Sequence, residues 1–275
     1  MRYTVAILAD LHGNLAALEA VLADLATQPH DAVVLAGDLL ANGPQPAETL
    51  ARIQKLGAQV IYGNMDEAII KATPADPVVW WAQQRIGAAG VAYLAGLPFA
   101  QRITPPEGDT AGCDLLVVHS TPRSVHDILI LQLEPYGTNF TAITPEEDAT
   151  EMLSATRAGL IVYGHIHYFS TGMVRGQPVR SIGSVGFPFD GDRRAAYALL
   201  HWDGAAWQVA VRRVTYAYEK TVSAIRRSGQ PLSERYAQMI LQAKWLPRTQ
   251  FLETISKSVV APTTLISPTR VTQRF

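Results

Sequence analysis

The sequence predicts an α/β protein built on mixed β-sheet, and three observations carry that reading. Short all-apolar runs alternate with helical stripes through the first two hundred positions, the pattern of parallel strands covered on both faces. Polar residues gather just after those runs, where the ends of parallel strands converge on one crevice. A later pair of runs flanks Asp203-Gly204, a hairpin signal that adds antiparallel strands.

Tyr3–Leu8 is β-rich and reads as the first strand. Leu15, Leu18, Val21, Leu22 and Leu25 follow at helical spacing, and Asn14 stands where an N-cap belongs. Ala32–Ala36 is a second buried strand, residues 47–56 a helix and 58–62 a third strand. A looser stretch, 73–106, holds two helices, 78–86 and 90–97, with Trp80 and Trp81 between core and surface. Residues 115–119, Leu160–Tyr163 and 178–182 resume the strand pattern, and Ala195–Trp202 and Trp207–Val214 form the hairpin. Beyond Val214 the texture changes to two helices, 219–228 and 232–246, parted by Gly229 and Pro231. Residues 256–275, rich in Ser, Thr and Val, read as an arm or a loosely docked tail.

The chain has 275 residues, 48% of them hydrophobic, enough to bury a full core. Only 17% are charged, against roughly 25% in typical domains, which argues against disorder. With 23 basic and 24 acidic side chains, the net charge of −1 argues against a general polyanion binder. A single cysteine, Cys113, excludes an internal disulfide and fits a reducing cytoplasm. No apolar run approaches the roughly 18 residues of a membrane span, and the first is too short for a signal-peptide core. The expectation is therefore a cytoplasmic protein with no membrane role.

Polar groups cluster at five predicted strand ends: Asp10-Leu-His12-Gly-Asn14, Gly37-Asp38, Gly63-Asn64-Met65-Asp66, His119, and Gly164-His165-Ile166-His167. Asp, His and Asn without thiolates suit borderline divalent ions such as Mn, Fe, Zn or Ni. Each Asp-x-His or His-x-His pair can turn both side chains onto one ion. Seven candidate ligands, Asp10, His12, Asp38, Asn64, His119, His165 and His167, exceed what one ion needs, so two ions are expected, with Mn favoured. Two such ions would reverse the local sign of an acidic domain and attract a phosphate.

Taken together, these motifs resemble the calcineurin-like metallophosphoesterase superfamily over roughly residues 3–214. Gly37-Asp38-Leu-Leu-Ala-Asn42-Gly43-Pro44, His119-Ser-Thr-Pro-Arg123 and Gly183-Ser184-Val-Gly186-x-Pro188 are similar to its prokaryotic YfcE-like and diadenosine-tetraphosphatase-related branch. The resemblance implies a four-layer α/β/β/α sandwich of two mixed sheets. It implies that Asp10, His12 and His167 hold a first metal, that Asp38 bridges, and that Asn64, His119 and His165 hold a second. It implies phosphodiester hydrolysis by a metal-bridging hydroxide, with Asp38, Asn64, Asp66 and His119 in the catalytic machinery. Hydrolysis of a phosphoanhydride, such as a dinucleoside polyphosphate, or of a protein phosphate is the second enzyme reading. A metal-holding binding protein with lost catalysis is the third.

One departure bears on the chemistry. The family pattern commonly places His after the Asn of the third motif, as general acid. Here Met65 stands there, and a thioether donates no proton. Good leaving groups are the expected consequence. Asp66 is expected to orient a histidine or a water, and His126 is a candidate substitute acid. Asn42, Arg123 and His126 are the expected substrate contacts, for a phosphorylated small molecule or a nucleotide.

The near-neutral total hides an asymmetry. Residues 215–275 carry nine Lys/Arg and three Asp/Glu, net +6, which leaves 1–214 at 14 against 21, net −7. That shift predicts a catalytic domain over 1–214 and a basic helical extension over 215–275. The extension is expected to dock on the acidic domain or on a second subunit of a homodimer. Solvated surface and guidance of a nucleic-acid substrate are the other readings.

Overall fold

A computed structural model describes residues 3–108, 112–133, 143–153, 156–249 and 251. The chain runs β1 (Tyr3–Leu8), α1 (Leu15–Leu25), β2 (Ala32–Ala36), α2 (Pro46–Gln54), β3 (Gln59–Ile61), α3 (Asn64–Ile70) and α4 (Pro77–Ala95). It continues through β4 (Ala100–Ile103), β5 (Leu115–Val118), β6 (Gln132–Leu133), α5 (Glu146–Leu153), β7 (Leu160–Tyr163), β8 (Phe169–Val174) and β9 (Gln177–Ile182). The hairpin β10 (Ala195–Trp202) and β11 (Trp207–Val214), then α6 (Tyr218–Arg227) and α7 (Ser233–Gln242), complete it.

The strands form two mixed sheets, in the orders β11-β10-β1-β2-β3 and β4-β5-β7-β9-β8-β6. β1, β2 and β3 are parallel neighbours in the first sheet, and β5, β7 and β9 in the second. Strand alternation sorts each sheet's residues between two faces. In β1, Val5 and Ile7 join Val117 and Val162 of the other sheet in a dry inter-sheet core. Ala6 and Leu8 face outward onto Leu18, Val21 and Leu25 of α1. In β5 and β7, Val118 and Ile161 face the opposite outer layer, with Ala149 and Leu153 of α5. The result is the four-layer α/β/β/α sandwich.

Elements with all-apolar cores coincide with the sequence reading. Asn14 caps α1, its Oδ1 accepting from the Ala17 N–H at 3.2 Å. The two helices read across 78–97 form α4, broken at Gly87, whose φ of 63° and ψ of −177° are not helical. α3, β4, β6, β8 and α5 have no counterpart among the elements that the sequence predicts. α7 ends at Gln242, with Ala243 left-handed at its C-cap, four residues short of the helix read to 246. The expected tail, 256–275, lies outside the described residues.

α6 and α7 pack on the rest of the chain by apolar contact rather than by charge. Val222, Ile225, Tyr236, Ala237, Met239 and Ile240 join Phe187 and Phe189 in one buried cluster. Asn14 secures the junction: its Nδ2 donates to the Gly186 carbonyl at 2.9 Å and to Tyr216 Oη at 3.2 Å, and Thr221 Oγ1 donates to its Oδ1 at 3.1 Å. Among the described residues, no helix is long and apolar enough to cross a membrane.

Candidate metal centre

The carboxyl ends of β1, β2, β3, β5 and β7 meet at one edge of the sandwich, and the loops that leave them are tied together before any side chain is considered. The Asp10 N–H donates to the Gly37 carbonyl at 3.1 Å, and that of His12 to the Asp38 carbonyl at 2.8 Å. The Gly164 N–H donates to the His119 carbonyl at 3.0 Å, and that of Gly186 to the Asp10 carbonyl at 2.9 Å. Such sharp departures from strand geometry require unusual backbone. Asp10, His12, Asp38, His165 and His167 all have positive φ, between 51° and 64°. That region is rare for non-glycine residues, and its cost is held where a site over-determines it. At Gly164 a Cβ would lie 2.6 Å from Asp10 Oδ2, so only glycine lets that carboxylate tuck in.

Asp10, His12, Asp38 and His167 are buried, and their ligand atoms lie within 4.8 Å of one another. The second cluster adjoins it. His119 Nε2 is 3.4 Å from Asp38 Oδ1, and Asn64 Oδ1 is 2.9 Å from both His119 Nε2 and His165 Nδ1. All seven predicted ligands therefore converge, with Asp38 between the two groups.

Hydrogen bonding fixes what three of the rings present. A carbonyl only accepts, so a ring nitrogen against one must carry the proton. His12 Nδ1 lies 3.0 Å from the Ala41 carbonyl, His167 Nδ1 2.6 Å from that of Phe187, and His119 Nδ1 2.9 Å from that of Ala36. Their Nε2 atoms are left as bare lone pairs facing inward. Burial holds these rings neutral, pushing His12 down to about 3, His119 to about 4 and His167 well below its ordinary value. His165 falls to about 3, by burial first and then by its neighbour His119. Phe189 stacks on the His167 ring at 4.3 Å between centroids, and Phe187 meets His12 edge-on at 5.6 Å.

The carboxylates are pushed the other way. Burial raises Asp38 to about 7. Burial and the neighbouring Asp38 raise Asp66 to about 8 and take Asp10 well above the usual carboxylate range. Buried carboxylates that resist ionisation, facing inward lone pairs, form a donor set that needs cations. Divalent metal ions fit this cluster by the chemistry of its donors.

The structure shows Asp66 holding backbone, and among the described residues no imidazole hydrogen-bonds to it. Its Oδ1 accepts from the Leu39 N–H at 3.0 Å and its Oδ2 from the Gly63 N–H at 2.9 Å, clamping the second and third loops together. Met65 supplies a contact the sequence did not suggest, its N–H donating to Asp38 Oδ1 at 2.8 Å.

Of the expected substrate contacts, Asn42 lines the cavity over the centre, its Nδ2 3.3 Å from His12 Nδ1. Arg123 is not brought to that cavity. Its Nε donates to Asp127 at 2.7 Å and its Nη1 to Glu151 at 2.7 Å, on the exposed side of the loop. His126 is exposed, its Nε2 2.7 Å from Glu67 Oε2. The same loop lies beside the centre, the His126 backbone being near enough to act on the His165 ring. Trp81 packs on the helical layer under Arg85, whose guanidinium sits 3.9 Å from its ring centre.

The cavity also has a wall that sequence reasoning missed. It encloses about 300 Å³ between His12, Asp38, Asn64 and His165 on one side and Arg235, Tyr236, Met239, Trp245 and Arg248 on the other. Its second wall thus comes from α7 and the residues after it. No motif announces such residues; the apolar spacing of α7 is their only signal in the sequence.

A sandwich of this layering, with Asp, His and Asn converging at the strand ends, defines a class of metal-dependent phosphoesterases. The chain belongs to the calcineurin-like phosphoesterase superfamily, whose domain matches residues 3–205. It is 25% identical over 238 residues to an uncharacterized protein of Methanocaldococcus jannaschii, covering 79% of this chain and 91% of that one. It is similar to a metallophosphoesterase from Sphaerobacter thermophilus, with 25% identity, a TM-score of 0.67, and 88% and 99% of the two chains covered. It shares the fold of a hypothetical protein from Pyrococcus horikoshii, at 21% identity and a TM-score of 0.69, covering 89% and 100%.

Proposed function

We propose that this protein is a dinuclear, metal-dependent phosphodiesterase. The observation that carries the reading is the pair of adjoining donor groups sharing Asp38, one built on Asp10, His12 and His167 and the other on Asn64, His119 and His165. Bound there, divalent ions would supply Lewis acidity at the phosphoryl oxygens and lower the pKa of attacking water. Manganese is the first ion to test.

The chain's own residues do the rest. Carbonyls of Ala41, Phe187 and Ala36 hold the rings of His12, His167 and His119 by their Nδ1 protons, so no reorientation is needed. The Met65 N–H and the Asp66 clamp hold the loop carrying Asp38. Asn42 stands beside His12 on the cavity wall, placed to donate to a phosphate oxygen. The Met65 side chain lines the cavity and can give no proton to a leaving oxygen. That supports a preference for leaving groups that are stable as anions, as in aryl phosphodiesters. A screen of purified protein, metal by metal, against aryl diesters and monoesters tests the reading. Turnover of diesters above monoesters is expected; a metal-loaded protein that turns over neither would refute it.

A further inference from the structure

We propose that α7 and the segment after it form a substrate-recognition wall, in which Arg235 and Arg248 hold a second anionic group and Trp245 a flat ring. Nucleotides carrying a second phosphate are the ligand class that matches. The inference rests on the phosphoesterase reading, because it places the reacting phosphoryl group at the metal centre across the same cavity.

Arg235 is the informative residue. It is only 6% exposed, yet it lines the cavity that holds His12, Asp38 and Asn64. Its Nε donates to the Leu246 carbonyl at 2.7 Å, which fixes the plane of the fork. Its carbon lies 5.2 Å from the Tyr236 ring centre and 5.9 Å from that of Trp245. The neighbours that act on it are the Tyr236 phenol and a second cation, Arg248. Among the described residues no carboxylate pairs with it. A desolvated guanidinium beside a like charge is costly unless an anion completes the site. Arg248 lines the same cavity from an exposed position, so two cations face one opening.

Trp245 lies at the rim, 45% exposed, with Arg235 below its ring. An indole backed by a guanidinium is a platform on which a base can stack. The opposite wall carries the metal ligands. A molecule filling the cavity therefore meets the candidate metal ligands on one side and two guanidiniums and an indole on the other. A nucleoside diphosphate offers one phosphate for the metal ligands, a second for the guanidiniums and a base for the indole. The wall is fixed on the catalytic body by the Gln230 Nε2 bond to the Asn42 carbonyl at 3.1 Å and by the Asn14 junction. It therefore needs no closing motion to take part.

The test is equilibrium binding to manganese-loaded protein, by calorimetry, of α,β-methylene-ADP and of inorganic phosphate. The variants are Arg235→Gln, Arg248→Ala and Trp245→Ala. One inorganic phosphate cannot span the metal centre and the two guanidiniums and carries no base, so the ratio of the two affinities reports the wall. Loss of a charge-assisted contact or of a stacked base should lower that ratio about tenfold for Arg235→Gln and for Trp245→Ala. Arg235→Lys should restore part of it. Arg235→Gln removes a buried contact and could fail to fold, whereas Trp245→Ala and Arg248→Ala change exposed side chains and keep the test decisive. An unchanged ratio in those two would overturn the proposal. An equal fall in both affinities would also overturn it, by showing a merely structural role. A shifted ratio in a protein that hydrolyses nothing would uphold the wall and sink the hydrolase. Vigorous hydrolysis with an unchanged ratio would do the reverse.

Discussion

His12 Nε2 and His167 Nε2 lie 3.0 Å apart with no proton to share between them. Both rings spend their Nδ1 proton on a backbone carbonyl, and burial keeps both neutral at physiological pH. Two lone pairs at that separation repel unless a cation lies between them. The carboxylates of Asp38 and Asp10 complete the demand, 3.6 Å from His12 Nε2 and 3.5 Å from His167 Nε2 respectively.

The metal-free protein should lose stability between about pH 6.5 and 8. Below that window two effects oppose. Four histidines with lowered pKa favour the folded state as pH rises, and carboxylates with raised pKa disfavour it. Above the ordinary histidine value near 6.5 only the carboxylates still bind extra protons in the folded state, Asp38 up to about 7 and Asp66 up to about 8. Stability then falls with pH. Thermal melts of chelated protein across that range should show the decline, melts with manganese should not, and metal uptake should release protons. A metal-free melting point that rises through this window would contradict the assignment.

Asp66→Ala should cost about 2–4 kcal/mol, because it strands two buried N–H groups, those of Leu39 and Gly63. It should also weaken metal binding, since both loops carry ligands. Denaturant melts of the metal-free variant separate the two effects.

Met65→His restores a proton donor where the family pattern commonly has one. In the wild type, the rate should depend steeply on leaving-group pKa across a series of aryl diesters. In the variant the slope should flatten, with the gain confined to poor leaving groups and reaching about tenfold or more. Equal slopes would remove Met65 from the explanation of specificity.

His126→Ala tests the exposed candidate acid. His126 is bound to Glu67, and its backbone lies beside His165. If its ring serves poor leaving groups, their turnover should fall about 100-fold while metal content stays constant. A uniform small change across the leaving-group series would assign the loop a positioning role alone.

What was legible in the sequence follows from how each element is stabilised. β1, β2 and β7 are buried on both faces, so their all-apolar runs could be read directly. The candidate ligands could be read because five strand ends placed polar groups where packing has no use for them. β8, with the run FSTGMV, shows no alternation and is held by its partner β9. β6 has two residues and α3 seven, too few to show a period. α3 is also the element that presents Asn64. The wall of the cavity was hidden for another reason. The charges of the extension suggested an electrostatic dock, whereas Val222, Ile225, Tyr236 and Ile240 seat it by apolar burial. That leaves the cation Arg235 beside the site rather than on an acidic surface. Arg123, which the sequence offered as a phosphate contact, is held by Asp127 and Glu151 instead.

The shared carboxylate of Asp38 is the point on which the proposed dinuclear centre stands, and counting ions tests it. Elemental analysis of protein stripped with chelator and reloaded with manganese should give about two ions per chain, and Asp38→Asn should lose both ions together with turnover. One ion per chain in the wild type, or full loading and full activity in Asp38→Asn, would contradict a two-metal site.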